Sequence, residues 1–244
     1  MYILRDAMSE SATELQILEQ EIIGCRMCPR LVEYREKVAN EKRRAFREWT
    51  YWGKPVPGFG DPQAELFILG LAPGAHGSNR TGRMFTGDRS GEFLYTALYK
   101  AGFANQATWL RPDDELELKN VYIAAAVRCA PPANKPLPSE ILHCRGYLER
   151  ELALLRPKVV LALGKIAWDA YLNVLKSEGV IASRAEYCFA HGAVAKLPGN
   201  GPRLMGVYHP SQQNTQTGRV TPAMYAVTLR KIQRLLGQSS GAAA

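Results

Sequence analysis

The stretch "AELFILGLAPGAHGSNRTGRMFTGD", residues 64–88, decides the fold, because a short apolar run leads directly into a glycine-rich loop. A near-continuous apolar run over 64–70 predicts a strand that is buried on both faces of a sheet. Three further runs share this character: "VYIAAAVRC" (121–129), "KVVLALG" (158–164) and "RLMGVYH" (203–209). Together they predict the interior of a parallel sheet.

Helical patterns alternate with these strands. They cover 90–102, 139–156, 165–179 and 222–237, and we expect a further helix over about 10–24. This alternation favours an α/β fold of three layers, α/β/α, with a central four-stranded parallel sheet. We predict one domain over 1–237 and a disordered tail over 238–244, where "QSSGAAA" is small and polar.

Composition and charge narrow the class of protein. The chain is 46% hydrophobic and 22% charged, with no apolar run near the ~20 residues of a membrane span. Acidic residues near the N-terminus argue against a signal peptide, so we expect a cytoplasmic protein without membrane contact. The net charge is +8, and the segment after residue 186 contains six basic residues and no acidic one. A clustered basic excess suits either a polyanion such as nucleic acid or a plain solvated face.

Four of the five cysteines fall into two groups. Cys25 and Cys28 form a C-x-x-C pair, and Cys129 and Cys144 have fourteen residues between them. Thiolates are soft ligands that suit zinc or an iron–sulfur cluster, although the second group is not a standard zinc-ribbon pair. Cys188 is left over, and we expect it to be a buried apolar thiol.

The carboxyl ends of the predicted strands should meet at one edge of the sheet and form a single site. They read "GLAPGAHG", "CAPPANKP", "GKIA" and "YHPSQQN". The first lacks the spacing of a P-loop or of a dinucleotide fingerprint. Small residues there can instead admit a flat ring, on which Phe85 would stack unless it only packs in the core. His209 can donate to an oxyanion or serve as a structural hydrogen bonder.

Three long motifs and the cysteine pattern closely resemble the uracil-DNA glycosylase superfamily. The motifs are "GLAPGAHGSNRTGRMFTGD" (70–88), "AAAVRCAPPANKP" (124–136) and "YHPSQQNTQTGR" (208–219), with "CRMCPRL" (25–31) upstream. The resemblance is best to family 5, alongside the related family 4, and runs from about residue 22 to about residue 236. It implies a uracil-DNA glycosylase-like fold. It also implies a monofunctional hydrolase of base excision repair that acts on double-stranded DNA containing uracil or other deaminated bases.

The resemblance also implies roles for single residues. His209 would donate to the pyrimidine O2, and Asn134 would hold the catalytic water. Leu71 and Ala72 stand where sister families carry the water-activating group. Asp88 either assists the chemistry or caps the helix after it. Ala125 replaces an Asn that reads uracil in family 4, which predicts tolerance of modified pyrimidines and hypoxanthine. The implied base-binding residues are Gly70, Leu71, Ala72, Gly74, Phe85 and Ala125.

A cluster and a DNA surface are implied in the same way. Cys25, Cys28, Cys129 and Cys144 match the four ligands of a structural [4Fe–4S] cluster, with zinc as the alternative. The segment 42–54, "KRRAFREWTYWGK", interleaves basic and aromatic residues and suits contact with a nucleic-acid backbone. We expect a monomer associated with the nucleoid. The expected DNA contacts are Arg80, Lys135, Ser211, Gln212, Gln213, Asn214 and Arg219.

Three other classes compete with this interpretation. A non-catalytic, metal-stabilised DNA-binding protein explains the charge and the cysteines but leaves Asn134 and the "HPSQQN" motif without a purpose. A nucleotide-dependent enzyme should carry a phosphate-binding fingerprint, and the chain has none. A redox iron–sulfur protein should carry a flavin or nicotinamide motif. The fold by itself does not separate these classes.

Overall fold

A six-stranded mixed sheet lies at the centre of the computed structural model, which describes residues 2–237 and their side chains from residue 11. The predicted tail, 238–244, lies outside the described residues, and the one-domain prediction stays a prediction. The strands are β1 (Phe59–Gly60), β2 (Leu66–Gly70), β3 (Val121–Ala125), β4 (Val159–Leu163), β5 (Val194–Ala195) and β6 (Arg203–Val207). Their order is β1-β3-β2-β4-β6-β5.

The four predicted strands form the parallel centre of this sheet, which confirms the fold class. β3, β2, β4 and β6 pair in parallel, whereas β1 and β5 add short antiparallel edges. Each edge strand has only two residues, which is too short to leave a hydrophobic pattern in the sequence. The prediction therefore missed the two edges.

Eight α-helices surround the sheet in the described part of the chain. The five predicted helices are confirmed with shifted ends: α1 (Tyr2–Gly24), α4 (Arg89–Lys100), α5 (Pro138–Leu155), α6 (Lys165–Ser177) and α8 (Pro222–Leu235). The prediction missed α2 (Pro29–Glu41), α3 (Ser78–Thr81) and α7 (Gln212–Gln216). α2 was missed because it is strongly charged and buries only Leu31, Val32 and Arg35. No helix among the described residues is long and apolar enough to cross a membrane.

The side chains of β2 alternate between two hydrophobic clusters. Leu66 and Ile68 pack on one face with residues of α4 and α8. Phe67 and Leu69 pack on the other face with residues of α1, α5 and α6. Both faces of the strand are fully buried, as its continuous apolar run requires. This packing produces the three-layer architecture.

The strand order places a crevice at the carboxyl end of β2. The chain passes from β2 to β3 on one side and then to β4 on the other side of β2. Open α/β sheets bind ligands where the strand order reverses in this way. The last pair in the register joins Gly70 of β2 to Ala125 of β3, so two small residues face each other at this edge.

Candidate active site

A cavity of about 550 Å³ opens at the carboxyl edge of the sheet. Residues from the ends of β2 and β3, from the start of α4 and from the segment after β6 line it together. Another groove, of about 780 Å³, lies between α4 and α8, and no predicted site residue lines it. The predicted residues that line the first cavity are Gly70, Leu71, Ala72, Gly74, Phe85, Asp88, Ala125, Asn134, His209, Ser211, Gln212 and Gln213.

Phe85 forms an aromatic wall of the cavity, close to the end of β2. A Cβ added to Gly70 would lie 3.1 Å from Cε2 and Cζ of the Phe85 ring, so glycine allows the ring to approach the strand. The backbone of Phe85 has φ +54°, a left-handed conformation that L-residues rarely adopt. This backbone conformation costs free energy, so the surrounding structure must stabilise it and with it the position of the ring.

His209 lies beside Phe85 in the wall of the cavity. The two ring centroids are 5.9 Å apart, and the ring planes are 30° from parallel. The side-chain amide of Asn214 donates to the carbonyl oxygen of His209 at 2.8 Å and so holds the backbone that carries the imidazole. Burial lowers the pKa of His209 to about 4. The imidazole is therefore neutral at pH 7 and carries one N–H that can donate.

Asn134 projects into the cavity from a tight turn after β3. Ala133 and Asn134 are consecutive residues with φ values of +52° and +55°. Asparagine tolerates this region better than most residues, which accounts for its place in the turn. Its backbone N–H donates to Pro131 at 3.1 Å. The side chain is exposed and has no hydrogen-bond partner within residues 2–237, so its carboxamide can bind a water.

Asp88 caps α4 and also faces the glycine-rich loop. Its Oδ1 accepts a hydrogen bond from the backbone N–H of Gly91 at 3.0 Å. Oδ2 packs against the loop, where a Cβ on Gly77 would overlap it. Burial raises the pKa of Asp88, while the N–H groups of Gly91 and Ser90 oppose that rise. The capping alternative thus has a geometric basis.

The sequence prediction missed eight further lining residues. The predicted residues Leu71, Ala72 and Ala125 also line the cavity, but their side chains add no carboxylate or amide group to it. His76 was visible in the glycine-rich loop, but its position carried no pattern that pointed to a role. Tyr34 belongs to α2, which the prediction missed as a whole. The eight residues are Tyr34, Ala75, His76, Ser78, Met84, Arg89, Ser90 and Ala133.

The residues expected to contact DNA do not all lie at the surface. Lys135 is exposed, and the guanidinium of exposed Arg219 lies 4.6 Å from the ring centroid of Tyr208. Arg80 corrects the prediction, because its side chain is only 3% exposed. Its guanidinium lies 4.0 Å from the ring centroids of both Phe46 and Trp49, and a buried cation held in this way does not reach a phosphate.

The four paired cysteines converge beside α2. Cys129 and Cys144 are buried in one small cluster with Leu31, and Cys28 packs against it. Burial raises the pKa of Cys129 to about 11 and that of Cys144 to about 12, and charge on the neighbouring cysteines contributes to both shifts. Cys188, in contrast, is exposed, so the expectation that it is buried was wrong.

The surroundings of these thiols fit the ligand set of an iron–sulfur cluster. Arg35, only 2% exposed, donates from Nη1 to Cys129 Sγ at 3.1 Å, and its Nε has no partner. A buried cation of this kind suits a set of anionic sulfurs. Among the described residues, no three His, Cys, Asp or Glu side chains are grouped closely enough to hold a single metal ion. Four thiols with a buried cation beside them are the soft donor set that a [4Fe–4S] cluster or a zinc ion would need.

Comparison with known proteins finds relatives that are similar over most of the chain. The family model described as "Uracil DNA glycosylase superfamily" matches residues 57–233. The type-5 uracil-DNA glycosylase of Thermus thermophilus is 52% identical over 219 residues, covering 89% of this chain and 96% of that protein. The type-5 uracil-DNA glycosylase of Mycobacterium leprae is 50% identical over 94% of this chain and 99% of that protein. A type-4 uracil-DNA glycosylase of Archaeoglobus fulgidus is more distant, at 32% identity over 64% of this chain and 70% of that protein.

Proposed function

The chain belongs to the uracil DNA glycosylase superfamily, in its type-5 branch, and from this premise we propose that it removes uracil and related deaminated bases from DNA. The reaction is hydrolysis of the N-glycosidic bond, which leaves an abasic site. One observation carries the proposal. Phe85, Asn134 and His209 come from three separate segments and line one cavity between small strand ends.

The substrate base enters this cavity only after it leaves the DNA stack. A base inside a duplex is out of reach, and extrusion is easiest for a mispaired base such as uracil opposite guanine. The Phe85 ring is placed to stack on the extruded base. Gly70 and Gly74 line the same cavity without side chains, so that their backbone groups can approach the edge of the base.

His209 stabilises the departing base. Cleavage places negative charge on the pyrimidine and positive charge on the sugar. An N–H aimed at the pyrimidine O2 lowers the barrier most effectively in a site that excludes water. Because the pKa of His209 is about 4, the ring donates as a neutral imidazole and keeps its proton. The hydrogen bond from Asn214 to the backbone carbonyl of His209 stabilises the backbone that carries the ring.

Asn134 positions the attacking water. Leu71 and Ala72 cannot polarise a water, whereas the Asn134 carboxamide lines the same cavity and has no hydrogen-bond partner among the described residues. An amide orients a water but does not deprotonate it. This role suits a reaction in which the sugar has already gained positive charge before water attacks. Asp88 supports the wall as the cap of α4.

The cavity is tolerant of different bases. Ala125 presents only a methyl group, so no side-chain amide at this position penalises a base with a different edge. We expect comparable single-turnover rates on duplexes that contain a U·G pair and on duplexes that contain hypoxanthine. Strict preference for uracil would contradict this part of the proposal.

Cys25, Cys28, Cys129 and Cys144 hold a [4Fe–4S] cluster in this proposal, with zinc as the alternative. These cysteines would hold the group between the end of α1, the start of α2, the segment after β3 and α5. Its role would be structural, because hydrolysis moves no electrons. Visible absorption at about 400 nm separates the two metals, since zinc is colourless. The protein acts on double-stranded DNA as a monomer associated with the nucleoid.

The test uses a labelled duplex with one U·G pair, incubated with the protein and then heated in alkali. A break that appears only after alkali means removal of the base to an abasic site. A break without alkali would add lyase or nuclease chemistry and contradict a monofunctional glycosylase. No break, with the duplex still bound, would favour the non-catalytic DNA-binding alternative.

A further inference from the structure

The segment that contains Arg80's aromatic partners forms a second surface beside the cavity. A single 3₁₀ turn, Arg44–Phe46, begins it, and Trp49, Tyr51 and Trp52 follow. Phe46 and Trp49 stand edge to face, with their ring centroids 6.4 Å apart. Three cations, Arg43, Arg44 and Arg47, lie on the exposed side of this segment. We name these three residues the basic ridge.

Arg80 connects this segment to the glycine-rich loop that lines the cavity. Its guanidinium lies between the rings of Phe46 and Trp49. Its Nε donates to the carbonyl of His76 at 2.8 Å, and its Nη2 donates to the carbonyl of Gly87 at 2.8 Å. His76 lines the cavity, and Gly87 lies between Phe85 and Asp88, which also line it. A buried cation thus joins the segment to both sides of the glycine-rich loop.

A second contact joins the basic ridge to the cavity wall. The hydroxyl of Tyr51 and Nδ1 of His76 are 3.1 Å apart, and the backbone N–H of Arg43 points to the same hydroxyl at 3.5 Å. Burial lowers the pKa of His76, and the charge of Arg43 adds to that effect. Arg43 is therefore close to the mouth of the cavity.

The cations of the basic ridge have no side-chain partners among the described residues. Arg43, Arg44 and Arg47 have no ion pair and no side-chain hydrogen bond within residues 2–237. Exposed Arg111, whose guanidinium lies 5.0 Å from the Trp49 ring centroid, extends the positive surface. Glu48 is the one exposed acid between Arg43 and Lys54. An exposed basic surface whose arginines have no ion pair among the described residues, beside a site for an extruded base, fits a polyanion.

We propose that the basic ridge binds consecutive backbone phosphates of the DNA that flanks the extruded nucleotide, and that Arg80 positions the ridge instead of binding DNA itself. The inference rests on the proposed function, because it takes DNA as the substrate. Phosphate contacts add affinity through counterion release and are independent of sequence. The ridge therefore supplies binding on one side of the lesion without reading any base.

The test measures how DNA affinity depends on salt. The probe is a labelled duplex with a stable tetrahydrofuran abasic analogue opposite guanine, so that no cleavage occurs during the titration. The variant is the triple Arg43→Gln/Arg44→Gln/Arg47→Gln. Each lost phosphate contact reduces the slope of log affinity against log salt by roughly 0.9, so we expect a slope that is less steep by about 2.7.

Two matched variants control for charge and for folding. Lys119, Arg156 and Arg203 are exposed near the amino ends of the strands, at the opposite edge of the sheet, and their triple Gln variant removes the same charge. We expect its slope to stay near that of the unsubstituted chain. The triple Arg43→Lys/Arg44→Lys/Arg47→Lys keeps the charge, and we expect it to keep the slope, because lysine also binds phosphate.

Equal slopes for the two Gln triples, or an unchanged slope for the ridge triple, would overturn the inference. The alkali assay on the unsubstituted chain tests the proposed function separately. If the chain binds the duplex through the ridge but never removes the base, the glycosylase proposal is contradicted and the ridge inference stands. A chain that removes the base while the ridge triple keeps its slope would end the ridge inference alone.

Discussion

At the scale of single residues, the cavity concentrates unusual backbone conformations. Phe85, Ala133 and Asn134 all line it, and all three have positive φ values without being glycine. Such residues cost free energy and persist where the surrounding structure determines them. Their clustering at one cavity suits a site in which an aromatic ring and a carboxamide must be held in fixed directions.

Replacement of Asn134 by glycine removes the carboxamide while the backbone keeps the conformation of the turn. Glycine adopts the left-handed turn freely, so Asn134→Gly should leave the melting temperature unchanged. Loss of the water ligand should slow single-turnover removal of uracil on the order of 10²-fold. Ala133→Gly changes the same turn without removing a polar group and should keep the rate. Equal losses in both variants would mean that the turn, and not the carboxamide, matters.

The neutral state of His209 predicts an unusual pH profile. Its pKa falls from about 6.5 in the unfolded chain to about 4 in the fold, so protonation favours the unfolded state. The contribution of His209 to stability is therefore complete above pH 6.5 and is lost as the pH falls from there toward 4. The single-turnover rate should not drop as the pH passes through 6.5. A midpoint near 6.5, reversible on return to pH 7, would contradict this assignment.

At the scale of elements, the first turn of α4 supports the aromatic wall. Asp88 caps the helix, and a Cβ on Gly91 would overlap the carbonyl oxygen of Phe85. The turn thus packs directly against the backbone that carries the ring. Gly146, in the exposed face of α5, has no neighbour within 4 Å of such a Cβ, so close packing at Gly91 is not a general feature of helix glycines here.

Substitutions of Asp88 distinguish a cap from a chemical group. Asp88→Asn keeps an oxygen that can accept from Gly91, so we expect a free energy of unfolding close to that of the unsubstituted chain. The raised pKa points the same way, because the fold disfavours the charged carboxylate. Asp88→Ala should cost about 1 kcal/mol in denaturant unfolding. A large loss of single-turnover rate in Asp88→Asn with unchanged unfolding would give the carboxylate a chemical role.

At the scale of the whole molecule, the cysteines lie where the N-terminal helices meet the sheet layer. Arg30 of α2 forms an ion pair with Glu140 of α5 at 2.7 Å, and Arg150 of α5 pairs with Glu21 of α1. Exposed pairs such as the second contribute little to stability. A metal cluster bound by Cys25, Cys28, Cys129 and Cys144 would hold these elements together much more firmly.

A pair of cysteine variants tests that role. Cys144→Ser should remove absorption at about 400 nm and lower the melting temperature, because one ligand of the proposed cluster is lost. Cys188 is exposed and lies outside the group, so Cys188→Ser should change neither property. An unsubstituted chain that contains zinc and no iron would replace the cluster with the alternative metal. Absorption that survives Cys144→Ser would remove this residue from the ligand set.

The sequence by itself determined the sheet and the main segments of the site. Continuous apolar runs identify β2, β3, β4 and β6 because a strand buried on both faces admits nothing else. Parallel strands bring their carboxyl ends to one edge, which places Gly70, Asn134 and His209 together. The spacing of the cysteines indicated two groups, and the resemblance to the family joined them into one ligand set. These features depend on local pattern and on topology, and both can be read from one chain.

Only the tertiary structure decided what each polar side chain contacts. Arg80 looked like a phosphate ligand, and burial between Phe46 and Trp49 makes it a structural link instead. Tyr34 and His76 joined the cavity from elements without a diagnostic pattern. Cys188, expected inside, is exposed. Burial and partner choice depend on residues distant in sequence, and a local pattern carries no information about them.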